Sequence, residues 1–79
     1  MTRFYFSVVT AAGKIIDQEG TELSDLAAAR VEAIKDAQSL MSEAILAGND
    51  ISGRCIEIGD DSGQILMVVS FADSISRSD

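Results

Sequence analysis

From Asp25 to Ala47 the chain contains neither glycine nor proline, and alanine dominates the run. Leu26, Ala33, Ile34, Ala37, Leu40, Met41, Ala44 and Ile45 recur at the spacing of one helical face, with Glu32, Lys35, Asp36, Ser39 and Glu43 opposite. The pattern predicts one long helix over residues 25–47. Ser24 suits its N-cap, Asp25 places a negative charge at the positive end of the helix dipole, and Gly48-Asn49 supplies a stop.

The flanking segments read as extended chain. Residues 3–10 are aromatic and β-branched, "TAAGK" turns, and "KIID" returns, so residues 3–17 form a predicted hairpin. Beyond the helix, "RCIEIG" alternates, "DDSG" is a turn signal, and "QILMVVSF" is apolar throughout, which makes 54–71 a second hairpin. Residues 72–79 read as a frayed tail or brief turn. The expected fold is α+β, ββαββ. A single domain spans residues 1–79, with an antiparallel sheet of about four strands and the helix packed on one face.

That architecture leaves a surface uncovered. Four strands spaced about 4.8 Å apart span roughly 15–20 Å, whereas a helix with its side chains is only about 10–12 Å across. The strand at 64–71 divides into Ile65, Met67, Val69 and Phe71 on one side and Leu66 and Val68 on the other, so both faces are apolar. Tyr5, Val9, Cys55, Leu66 and Val68 are the candidates for an interface, since an exposed apolar patch marks a contact surface. A homodimer is the expected assembly. A small core offset by ordering entropy leaves little net stability, and a second copy supplies more.

Thirteen acidic against six basic residues give a formal net charge of -7. This field repels phosphate backbones and anionic lipid, so neither nucleic acid nor membrane is an expected partner. The run after Arg3 is broken by Ser7 and Thr10 and lacks the continuous apolar core of a secretory signal. A lone cysteine, Cys55, forms no internal disulfide and fits a reducing cytoplasm, where it serves as a structural or interfacial thiol.

The absence of histidine removes Ser-His-Asp and Cys-His nucleophile pairs and histidine-rich zinc sites. The glycine spacing fits neither a Walker loop nor a dinucleotide fingerprint. No catalytic residue, cofactor or metal is expected. One stretch, "DQEGTELSD" (17–25), gathers Asp17, Glu19, Glu22 and Asp25 around Gly20. Aligned on Gly20, the calcium-loop pattern would need oxygen ligands where Ile15 and Leu26 stand, so it fails at both ends. A weak, irregular cation site at Asp17, Glu19 and Glu22 is the minor alternative. Arg30 falls near the centre of the helix's apolar stripe and needs a partner there. The expectation is an ion pair with Asp17, Glu19 or Glu22, ahead of anion recognition or carboxylate/arginine catalysis.

Several segments together, "FYF", "DQEGTELSDLAAARVEA", "IEIGDDSGQIL" and "SFAD", resemble a family of short alphaproteobacterial proteins carried as a domain of unknown function. The resemblance spans nearly the whole chain and implies a stand-alone cytoplasmic domain, with no activity to transfer. Family members often carry proline where Ser24 stands and histidine near Ser7. The chain is also loosely similar to HicB-type antitoxin domains, which implies masking of a basic partner.

Overall fold

The structure, a computed structural model, describes residues 2–74. Its elements are β1 (Thr2–Thr10), β2 (Gly13–Ile15), β3 (Thr21–Leu23), α1 (Leu26–Leu46), β4 (Cys55–Gly59) and β5 (Ile65–Ser70), then a 3-10 turn at Ala72–Ser74. The sheet is antiparallel, in the order β2-β1-β4-β5, and β3 also pairs with β1. The α+β class with one helix on one face is as expected, but the order is βββαββ and the sheet has five strands. The additional strand lies inside the acidic stretch: Thr21 and Leu23 pair with Phe4 and Thr2. Three residues carry too little alternation to announce a strand, and the free edge of β1 decides it. The tail's first residues form the 3-10 turn, while 75–79 lie outside the described residues.

The helix starts one residue later than expected. Asp25, not Ser24, is its N-cap, with extended backbone (φ -161, ψ 178) and a side chain accepting from the Ala28 N–H at 2.8 Å. At the other end Gly48 takes a left-handed φ of +82. The Asn49 N–H then donates to the Ala44 carbonyl at 2.7 Å and the Gly48 N–H to the Ile45 carbonyl at 2.9 Å, which satisfies carbonyls the last turn leaves open.

The core lies between α1 and one sheet face. Ala29, Ala33 and Ala37 are fully buried, as are Ile56, Ile58 and Phe71, with Phe4, Met41 and Val69 nearly so. Small side chains let the helix backbone approach the sheet, and the sheet's larger residues fill the space. Cross-strand register places Val8 opposite Ile56 and Phe6 opposite Ile58 on this face. The buried stripe is therefore rotated from the expected one. Leu40 and Ile45 are 38% and 69% exposed, and Arg30 faces solvent. Large residues drew the stripe in the sequence, whereas a close helix–sheet contact selects the alanines.

Strand β5 also departs from simple alternation. Ile58 pairs with Met67 but Gly59 pairs with Ile65, so Leu66 is an extra residue in a β-bulge. Beyond a bulge the alternation inverts. Met67, Val69 and Phe71 stay with the core, whereas Ile65, expected beside them, crosses to the helix-free side and is 48% exposed. Among the described residues, no helix is long and apolar enough to cross a membrane.

Candidate functional site

The helix-free face is built by the odd-numbered residues of β1 and their partners. Tyr5 lies opposite Gly59, Ser7 opposite Glu57, Val9 opposite Cys55, and Val68 opposite Glu57 on the next strand. Four of the five interface candidates thus share one face: Tyr5, Val9 and Cys55 are half-buried and Val68 is 54% exposed. Leu66, at the bulge, is exposed on the edge strand.

A shallow concavity of about 370 Å³ opens on this face, with Tyr5, Ile16 and Ile65 as its apolar walls. Asp17, Glu57, Asp60 and Asp61 contribute carboxylates and Lys14 contributes an ammonium group. Each charge has a local partner. Lys14 Nζ donates to Glu57 Oε1 at 2.7 Å. Asp60 Oδ1 accepts from the Ser62 N–H, the Ser62 hydroxyl and the Gln64 N–H, closing the β4–β5 turn and lowering its pKa, chiefly through the hydroxyl. A hydrogen bond with the Asp61 carboxylate, with desolvation second, holds the Tyr5 hydroxyl above its usual pKa.

The acidic stretch proves to be a structural plug. Along the outer side of β1, β2 covers Val8–Thr10 and β3 covers Thr2–Phe4. Neither strand reaches Phe6. Asp17 Oδ2 accepts the Phe6 N–H at 2.9 Å, while Oδ1 accepts the Glu19 and Gly20 N–H groups at 3.2 Å each. One carboxylate stands in for the missing strand and ties off its own turn. Partial burial pushes its pKa up, but the three N–H donors outweigh this and leave it below the ordinary value. Gly20, at φ +73, lets the turn close directly over Arg3 and Tyr5: a Cβ there would lie 2.7 Å from Arg3 Cγ and 2.9 Å from Tyr5 Cε2.

Glu22 is held by Arg3, not Arg30. Arg3 Nη2 lies 3.1 Å from Glu22 Oε1, and Nη1 donates to the Glu19 carbonyl at 2.8 Å. The pair is direct cross-strand geometry, since Arg3 and Glu22 are opposite in the β1–β3 register. Arg30 sits on the exposed side of α1, so the demand for a buried partner disappears. At the minor alternative, a weak cation site, the side chains of Asp17, Glu19 and Glu22 do not converge: Asp17 is turned onto backbone donors, Glu22 onto Arg3, and Glu19 offers its carbonyl to the same arginine. Among the described residues no group of three or more Cys, Asp or Glu side chains converges to hold a metal. The residues that sequence reasoning passed over are Arg3 and the Lys14–Glu57 pair. Seeing β3 as a strand would have revealed the first.

No curated protein and no solved structure matches the chain. The profile of one family does match, over residues 3–72, which is most of the sequence. The chain therefore belongs to DUF6894, a domain of unknown function.

Proposed function

We propose that the chain is a non-enzymatic interaction module that works as a homodimer and offers a partner the apolar surface on the helix-free side of its sheet. The observation that carries this reading is the one-sided architecture. A single helix covers one face, and Tyr5, Val9 and Cys55 are half-buried on the other, beside exposed Ile65 and Val68. Light scattering on the eluting protein across a wide concentration range tests it, with a mass approaching two chains expected as concentration rises. A strictly monomeric chain at the highest concentration would overturn it.

A second reading rests on charge. The concavity on the same face sets four carboxylates against one lysine already engaged by Glu57, within a chain of net charge -7. This suits masking of a basic protein, as the likeness to HicB-type antitoxin domains implies. Salt-sensitive co-purification with a small basic protein supports it, and retention unchanged by salt counts against it. The family likeness supports a cytoplasmic setting for either role.

A further inference from the structure

We propose that two copies of the chain join through β5, edge to edge, so that their sheets continue as one and the helix-free faces stay open. The inference rests on the reading that the chain self-associates, and it says where. The Phe71 N–H donates to the Arg54 carbonyl at 2.9 Å, and the β4–β5 register runs on through Val69 opposite Ile56 and Met67 opposite Ile58. In an antiparallel pair the bonding direction alternates, so Val69 and Met67 point into the sheet while the backbone N–H and C=O of Val68 and Ser70 point out of it. Among the described residues β5 ends the strand order, and no strand neighbours those groups. A second copy related by a two-fold axis at Val69 sets Val68 against the partner subunit's Ser70. Ser70 then faces the partner subunit's Val68, and each pair exchanges two backbone hydrogen bonds.

Charge selects an identical copy at this edge and disfavours stacking of the two faces. Ile65–Ser70 carries no ionisable side chain, so two chains of net charge -7 meet there without opposing carboxylates. Stacked faces would instead bring two sets of Asp17, Glu57, Asp60 and Asp61 together and bury the Lys14–Glu57 pair. The opposite edge of the sheet does not compete. It consists of β2 and β3, three residues each, separated by the Asp17 plug. With one usable edge the assembly closes as a dimer and does not grow into a fibre. The bulge at Leu66 and the turn at Ala72–Ser74 limit the overlap to the middle of the strand. So short an overlap is smaller than the roughly 800 Å² per partner of a standard interface, so association should be weak and concentration-dependent.

Sedimentation velocity on the wild type, Val68→Pro and Val9→Lys tests the proposal. Proline at 68 removes only an outward N–H, as edge strands tolerate, and should weaken association at least about tenfold, the change produced by roughly 1.4 kcal/mol. Val9→Lys alters the face two strands away and should leave association unchanged. Loss of the dimer in Val9→Lys, or its persistence in folded Val68→Pro, overturns edge pairing while leaving the dimer itself standing. A wild type that stays monomeric overturns both. Hydrogen exchange on the wild type provides a readout independent of any variant. The Val68 and Ser70 amides should become protected as concentration rises, and concentration-independent exchange of both in a dimeric sample refutes the pairing.

Discussion

Asp17→Ala removes the acceptor of the Phe6 N–H and both capping bonds of the turn that precedes β3. A hydrogen bond to a charged acceptor contributes about 1.5–3 kcal/mol when well formed and a neutral one about 1 kcal/mol. The Phe6 bond is short and partly buried, while the two turn bonds are long and the Glu19 one is exposed to water. Assigning about 1 kcal/mol to the first and about 0.5 kcal/mol to each of the others gives a loss of ~2 kcal/mol. For a domain of this size that corresponds to a fall in melting temperature of about 10 °C. Asp17→Asn should lose nearly as much, because its amide keeps one acceptor oxygen and turns a donor toward the remaining N–H. Urea denaturation of the three proteins measures the difference, and a loss below about 0.5 kcal/mol in Asp17→Ala refutes the plug. The pH dependence has a definite sign. The folded pKa of Asp17 lies below its unfolded value, so its contribution is fully present above about pH 3.9 and disappears as pH falls through the folded pKa. The wild type should therefore lose more stability than Asp17→Asn as the solution is acidified over that range.

Three further substitutions probe the packing around this loop and under the helix. Gly20→Ala places a methyl group within 2.9 Å of both Arg3 and Tyr5 at a left-handed φ, and should cost about 2 kcal/mol in thermal or chemical unfolding. Ala33→Leu pushes three carbons into a fully buried position between α1 and the sheet; overpacking of about 1–3 kcal/mol is expected, and an unchanged midpoint would mean the helix lifts freely. Arg30→Ala should stay within about 0.5 kcal/mol of the wild type, since the residue is exposed, and a larger loss would restore a buried role for it.

The sequence was most legible where a pattern ran long. The helix between Asp25 and Gly48 and the β4–β5 hairpin follow from periodicity and turn chemistry alone. Three things escaped it, each because a distant partner settles the matter. β3 is a strand only because β1 offers it a free edge opposite Thr2–Phe4. The face of α1 is set by how closely alanine lets it approach the sheet, and a reading weighted to Leu40 and Ile45 turned Arg30 inward. The bulge at Leu66 moves Ile65 across the sheet, and an unbroken run of apolar residues gives no sign of where alternation slips. The acidic stretch stands out in the sequence, but its carboxylates answer backbone N–H groups and Arg3, neither of which its own spacing reveals.

The plug at Asp17 also governs parity along the outer edge. Val8 pairs with Ile15 and Phe4 with Thr21, so the edge chain spends six residues where β1 spends four. The excess is even, and this is why Leu23 still reaches the core while Glu22 still meets Arg3. A loop changed by two residues would preserve that division between faces. A change of one would send Leu23 into water and Glu22 toward the alanines, because side-chain direction in a strand repeats every second residue. The acidic loop thus works as an even-numbered spacer, joining two short strands of fixed orientation without requiring a continuous one.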